Sequence, residues 1–404
     1  MPGQEKFLNA EAAAGALGVS RATLYAYVSR GLVRTAPDPR NPRKRLYDVH
    51  DIEQLRKRKT VGRRPREVAA TTLDWGLPVL SSGISLIENG HLFFRGRDAA
   101  VWAEGASLED TARLLWGCGD HDPFAAQDPD IALWSDELRA LASQLPLTER
   151  CQALLPFVSS GRSTAWQRDS LRLWPGAAAL LRATVAAASA TAPGTGCAHA
   201  HLAAAWGLDA EAADIVRRAL VLLADHELNA SAFAARVVAS TGASLGACLN
   251  AGLSALSGPL HGGTTSLVEI LLEESDGKGD PAAVVESRLR RGEGVPGFGH
   301  PLYPDGDPRA AALLPLLPED ASRSGLVAAM AEATGKSPNI DFALVSIRRA
   351  FDLPPGAALA LFAVGRTVGW IAHALEQRTD DKLIRPRASY VGPPPPQDGP
   401  AAAT

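Results

Sequence analysis

A chain of 404 residues, 46% hydrophobic and 21% charged, is long enough for two or three domains around a sizeable core, and these proportions exclude a disordered chain. Cys118, Cys151, Cys197 and Cys248 stand far apart with no C-x-x-C pair, which argues against a zinc cluster or a disulfide framework and fits a reducing compartment. The formal charge of −3 hides a division: residues 1–66 hold fifteen Lys+Arg against six Asp+Glu, and the remainder 26 against 38, so a +9 arm precedes a −12 body. Such asymmetry points to nucleic acid as a partner of the arm, although basic residues also keep a small appendage soluble. Met1 to Lys6 lacks the apolar core of a signal peptide, and the most apolar stretch, near Ala177 to Ala190, is broken by Arg182. No membrane span and a cytoplasmic location are therefore expected.

In chain order, Asn9 can cap a helix over Ala10 to Leu17, with Glu11 favouring its dipole. Gly18-Val19-Ser20 forms a turn, and Ser20 caps a second helix from Arg21 to Arg30 that Gly31 ends. Leu24 and Val28 should face inward, leaving Arg21, Tyr25 and Ser29 outside. Two short helices joined by a tight turn make a helix-turn-helix. Asp38 to Tyr47 reads as a basic hairpin wing and Asp51 to Lys59 as a closing helix. Over residues 7 to about 59 this order resembles the winged helix-turn-helix of MerR-type regulators. The resemblance implies double-stranded DNA as partner, with Arg21, Thr23, Tyr25, Arg43, Lys44 and Arg45 at the contact. Small helix-turn-helix units also serve as protein-contact modules.

Thr60 to Arg66 carries Gly, Pro and unpaired basic charge, as a linker does. From Leu73 onward Ala, Leu and Arg recur in helical patterns, with a small sheet expected within Leu77 to Ile87 and His91 to Phe94. The body should be mostly α-helical. Gly392 to Thr404 is Pro/Ala-rich and reads as a disordered tail.

Four short segments carry chemistry. Ala224 to Ala235 reads as helical, placing Asp225, His226 and Asn229 within one turn. Gly258-Pro259-Leu260-His261-Gly262-Gly263 holds an imidazole between residues that admit a close backbone approach. Gly297-Phe298-Gly299-His300 can wrap a substrate and leads to Arg309, a planar fork for a carboxylate. Pro338-Asn339-Ile340-Asp341 supplies a carboxylate near a helix start, where an ordinary N-cap is the plain alternative. Arg366 lies in an apolar helix where a buried guanidinium needs an anion. Arg385 begins the Arg385-Pro386-Arg387 run, for which a solvated basic tail is the plain alternative.

These segments, with Phe94-Arg95-Gly96-Arg97 and Gly105-Ala106-Ser107-Leu108-Glu109, resemble the citrate synthase family from about Leu73 to Gly392. The resemblance implies a mostly α, two-domain helical fold, with a large domain at 73–262 and 354–392 and a small domain at 263–353; the winged helix-turn-helix at 1–59 and a basic linker at 60–72 precede it, and a tail at 393–404 follows. It implies that His226, Asn229, Arg309, Arg366 and Arg385 bind oxaloacetate. By the same likeness Asp341 abstracts the acetyl-CoA proton, His261 holds the enolate and His300 is the acid. Arg385 would cross to the partner's site in a homodimer. Neither a metal nor a cofactor is expected. Thr264-Thr265-Ser266 and Phe342-Ala343-Leu344 depart from the family's usual runs and leave acyl preference open. A transcription regulator that uses the body as a metabolite sensor, and a 2-methylcitrate synthase using propionyl-CoA, are the alternatives.

Overall fold

The structure, a computed structural model, describes residues 7–29, 32–38, 41–52, 80–125, 134–159, 167–388 and 390–393. Two compact units emerge, one comprising residues 1–81 and 387–404, the other residues 82–386. The linker expected at 60–72 and the tail beyond Pro393 lie outside the described residues.

In the first unit the local signals act as read. The Asn9 side chain accepts from Ala12 N at 2.9 Å and starts α1 (Ala10–Leu17), and Gly18 ends it in the left-handed region at φ 56°. Ser20 Oγ accepts from Thr23 N at 3.2 Å and starts α2 (Arg21–Ser29). β2 (Thr35–Asp38) and β3 (Asn41–Asp48) pair antiparallel, and β1 (Phe7–Leu8) adds to the far edge of β3, giving the order β1-β3-β2. Two-residue β1 is too short to carry a sequence period. Ala13, Ala14, Leu17, Leu24, Val33, Tyr47 and Ile52 form a separate small core. Helix begins again at residues 49–52, and the rest of the expected closing helix lies outside the described residues.

The nucleic-acid candidates of this unit are mostly exposed. Tyr25, Lys44 and Arg45 face solvent. Arg21 is exposed and pairs with Glu11 at 3.3 Å. Thr23 is half-buried, its hydroxyl 2.9 Å from Ser20 Oγ. Arg43 lies on β3, and its side chain is outside the described ones.

The second unit opens on a small antiparallel sheet, β4 (Ser85–Glu88), β5 (His91–Phe94) and β6 (Arg97–Asp98), in that order. Helices follow: α3 (Ala99–Ala103), α4 (Leu108–Trp116), α5 (Asp136–Ser143), α6 (Leu147–Ser159), α7 (Ser170–Ser189), α8 (Ala198–Trp206), α9 (Ala210–Leu223), α10 (Ala230–Ser240) and α11 (Leu245–Leu256). Then come α12 (Thr264–Lys278), α13 (Pro281–Arg290), α14 (Pro308–Leu313), α15 (Ala321–Thr334), α16 (Ile340–Ala350) and α17 (Ala357–Asp380). Side-chain caps recur at their starts: Ser107 and Asp110 form a capping box on α4, and Asp209, Ser244 and Asp320 cap α9, α11 and α15.

α17 is the axis of this unit, packing against α4, α7, α9, α10, α11 and α16. Among the described residues it alone is long and apolar enough to cross a membrane, and 94% of its apolar window is buried within the protein. Its small residues set the packing distance. A Cβ on Gly369 would collide with the Ala224 carbonyl, so only glycine lets α17 approach the segment after α9. α12, α13, α15 and α16 pack on one another, and α16 returns to α17, which brings Asp341 and Arg366 onto adjoining helices.

Candidate active site

His226 lies between helices, not on one. α9 ends at Leu223, α10 starts at Ala230 with Asn229 as its cap, and Glu227 adopts a left-handed φ of 51°. The helical reading of residues 224–235 is thereby corrected over 224–229 and holds from Ala230 onward. The cause comes from β4: the Ser85 hydroxyl donates to Asp225 and accepts from Glu227 N at 2.9 Å, while Ile87 N donates to Glu227 Oε1 at 2.9 Å. These non-local bonds replace the helical ones that residues 225–228 give up. Asp225 is fully buried, with His373 Nε2 3.2 Å from its Oδ1. Burial raises its pKa, but His373, Arg366 and the Ser85 hydrogen bond outweigh that and hold it low.

Three imidazoles are kept neutral. Burial, then the charges of Arg309 and Arg366, push His226 well below the usual histidine range. Burial and Arg366 lower His261 to about 4, and burial and Arg309 lower His300 to about 4. His226 and His300 meet edge to face with centroids 5.0 Å apart. His261 Nε2 lies 2.8 Å from Ser231 Oγ, which also lies 2.8 Å from Asn229 Oδ1. The His261 ring packs edge-on against Phe362 at 5.7 Å, and the Arg366 guanidinium sits over that same phenyl ring at 5.0 Å.

The loop around His300 is stitched to the start of α16. Gly299 N donates to Ser337 O at 2.8 Å, Asn339 N to Gly297 O at 2.8 Å, and Asn339 Nδ2 to Gly299 O at 3.1 Å. Gly297 must be glycine twice over: its φ is 85°, and a Cβ would lie 2.9 Å from Val268 Cγ2. Leu302 N donates to His300 Nδ1 at 3.2 Å, which leaves the ring proton of a neutral imidazole on Nε2. Tyr303, 1% exposed, places its hydroxyl 3.0 Å from His226 Nε2.

Asn339 caps α16 and accepts from Asp341 N at 3.0 Å, so Asp341 stands in the first turn and is not the cap. Its Oδ1 is buried without a hydrogen-bond partner. Burial raises its pKa to about 7, with Asp307 adding to the rise and Arg309 and Arg366 opposing it. Arg366 spends Nε on Leu223 O at 2.8 Å, and its Nη2 is likewise buried without a partner. Burial lowers it to about 10, so it remains cationic at neutral pH. The Arg309 fork, expected open, is already engaged: Nε donates to Asp307 Oδ1 at 2.9 Å and Nη2 to Oδ2 at 2.8 Å.

The chain thus brings His226, His261, His300, Asp341, Arg309 and Arg366 into one cluster, the histidines and Asp341 each within the field of Arg309, Arg366 or both. Asn229 stands at its edge as a helix cap, with Oδ1 taken by Ala232 N at 3.0 Å. Arg385 is exposed beyond α17, and among the described residues no hydrogen bond or ion pair ties it to the cluster. Sequence reasoning missed Tyr303, Asp307, Ser231, Phe362 and the Asp225–His373 pair as parts of the site. Asp307 and Ser231 lie inside recognised segments, whereas His373 and Phe362 sit in a largely apolar helix with no local signal. Among the described residues no three His, Cys, Asp or Glu side chains are placed to hold a metal ion.

The family model for the C-terminal domain of citrate synthase matches residues 72–387. The citrate synthase of Haloferax volcanii is 40% identical over 185 residues, 43% of this chain and 49% of its own. The 2-methylcitrate synthase of Shewanella oneidensis is 35% identical over 183 residues, again 43% and 49%. The chain spans about half the length of these curated relatives. The crystal structure of citrate synthase from Thermotoga maritima superposes with a TM-score of 0.64 at 27% identity, covering 79% of this chain and 94% of that one. A match over residues 72–387 takes in most of the chain, and the protein belongs to the citrate synthase family.

Proposed function

We propose that the chain condenses acetyl-CoA with oxaloacetate and water to give citrate and coenzyme A. The observation that carries this reading is the pair of orphaned buried atoms, Asp341 Oδ1 and Arg366 Nη2, beside three neutral imidazoles. A carboxylate raised to about 7 suits proton abstraction from a thioester methyl, because a desolvated base is stronger than one in water. Asp341 takes that proton, and the electron pair moves onto the thioester oxygen. His261, a neutral imidazole with one N–H to donate, stabilises the resulting enolate. The enol carbon then attacks the ketone of oxaloacetate, and His300 Nε2–H supplies the proton to the new hydroxyl. Water cleaves the thioester and releases coenzyme A.

Arg366, with its free Nη2, holds one oxaloacetate carboxylate, His226 and Asn229 flank the same pocket, and Arg309 contributes what Asp307 leaves of its fork. Two arginines against Asp225, Asp307 and Asp341 leave no surplus positive charge for a dianion. This balance favours Arg385 of a second copy as the missing cation, and hence a homodimer. Neither metal nor redox cofactor takes part in these steps.

The likeness to a 2-methylcitrate synthase supports propionyl-CoA as a second donor. The +9 arm, with exposed Tyr25, Lys44 and Arg45 beside a capped helix pair and a basic hairpin, supports a winged helix-turn-helix that binds double-stranded DNA. In that case the body also serves the arm as a metabolite sensor. A thiol-release assay with oxaloacetate and each acyl-CoA tests the enzyme reading; no release from either donor leaves the sensor alone.

A further inference from the structure

We propose that Tyr303 is a positioning residue whose hydroxyl donates to His226 Nε2 and holds that ring in the tautomer with its proton on Nδ1. Tyr303 is 1% exposed, and its hydroxyl has one hydrogen bond among the described residues, to His226 Nε2 at 3.0 Å. A buried hydroxyl proton without an acceptor is costly, because the group gives up its bond to water and gains none in return. Arginine has no acceptor, so Arg309, whose guanidinium lies 5.5 Å over the Tyr303 ring, cannot take it.

Were the His226 proton on Nε2, two donors would face each other across one phenol oxygen and the Tyr303 proton would be stranded. With the proton on Nδ1, the phenol proton has Nε2 as its acceptor. The imidazolium form is excluded by burial and by Arg309 and Arg366, and burial likewise keeps the phenol protonated. One arrangement remains. His226 and Tyr303 come from segments 77 residues apart, so the tautomer is fixed only in the folded chain.

The consequence is directional. A neutral imidazole has one donor and one acceptor, and a carboxylate or ketone oxygen needs the donor. With Nε2 committed to Tyr303, Nδ1–H is the face available to the substrate; the reverse tautomer would present a lone pair to an anion. This consequence rests on the reading that His226 contacts oxaloacetate, whereas the tautomer itself does not.

The test uses the full chain and Tyr303→Phe, which removes one oxygen and keeps the ring. In histidine-labelled ¹⁵N spectra at pH 7, with His226 assigned by its loss in His226→Gln, the wild-type ring should show protonated Nδ1 and unprotonated Nε2. Tyr303→Phe should lose that preference. A wild-type Nε2–H signal, or an unchanged pattern in Tyr303→Phe, overturns the proposal. In parallel, Tyr303→Phe should raise the KM for oxaloacetate about tenfold, the equivalent of one lost hydrogen bond, with kcat and the acyl-CoA KM within about threefold. An unchanged oxaloacetate KM overturns the positioning role. If the wild-type protein releases no thiol from either acyl-CoA, the condensation reading fails while the spectra still decide the tautomer.

Discussion

Asp307 grips Arg309 through both carboxylate oxygens, at 2.9 and 2.8 Å, and the same carboxylate accepts from Ile340 N at 3.1 Å at the start of the helix that carries Asp341. Both side chains are nearly inaccessible, at 1% and 3% exposure. One residue therefore fixes the guanidinium and anchors the helix of the proposed base. Removing a partner from such a pair costs about 3–5 kcal/mol, because the remaining charge is left buried and unpaired. Asp307→Asn should accordingly lower the melting temperature by several degrees and reduce condensation. A melting temperature equal to wild type would mean that Arg309 is sufficiently held by other groups.

Asp341 links activity and stability in opposite directions. Its pKa is raised to about 7, so the active, ionised form grows in as pH rises through 7, and kcat/KM for the acyl-CoA should climb over that range. For stability the sign reverses. A carboxyl raised in the fold favours the folded state when protonated, below its unfolded value near 4, and that contribution is lost as pH rises toward 7. Asp341→Asn should cut turnover by roughly a thousandfold or more with oxaloacetate binding retained. It should also stabilise the protein at pH 8 relative to wild type by about 2–4 kcal/mol, and little at pH 4. Calorimetry at the two pH values checks this; equal shifts at both would remove the buried-carboxylate account.

Arg385 offers a test of subunit exchange. If it completes the site of a second copy, Asp341→Asn and Arg385→Ala should each be nearly inactive alone. Mixed and reassembled at equal amounts, they should recover roughly a quarter of wild-type activity, since half the dimers would each hold one intact site. No recovery in a confirmed mixed dimer would place Arg385 outside the partner's site.

The arm should bind duplex DNA with a steep salt dependence, and Lys44→Ala or Arg45→Ala should each lower the slope by about one. Deleting residues 1–66 should abolish binding and leave thiol release within about threefold. Binding retained by the deleted protein would assign it to the acidic body.

Donor choice should be modest. One methylene is worth about 1–3 kcal/mol in an apolar pocket, so acetyl-CoA and propionyl-CoA should differ by roughly ten- to a hundredfold in kcat/KM, read by parallel thiol release. Equal rates would show a pocket that does not sense the methyl group.

Several local features were legible because their causes are local. Asn9 and Gly18 bound α1 where the sequence placed it, since a cap and a left-handed stop act within four residues. The breaks around His261, His300 and Asp341 were marked by Gly, Pro and Asn. The segment around His226 was misread as helical for the complementary reason: the break is imposed by Ser85 and Ile87 from a strand about 140 residues earlier.

By itself the sequence determined which side chains could do chemistry: several arginines, with three imidazoles and a carboxylate set among residues that interrupt or cap a helix. Only the tertiary structure decided their states. Arg309 is paired because Asp307 folds back on it, Arg366 and Asp341 keep orphaned atoms because α16 and α17 pack together, and Asp225 is held by His373 from the far end of α17. Charge, tautomer and pKa depend on distance and on exclusion from water. Neither quantity exists until segments far apart in the chain are brought together.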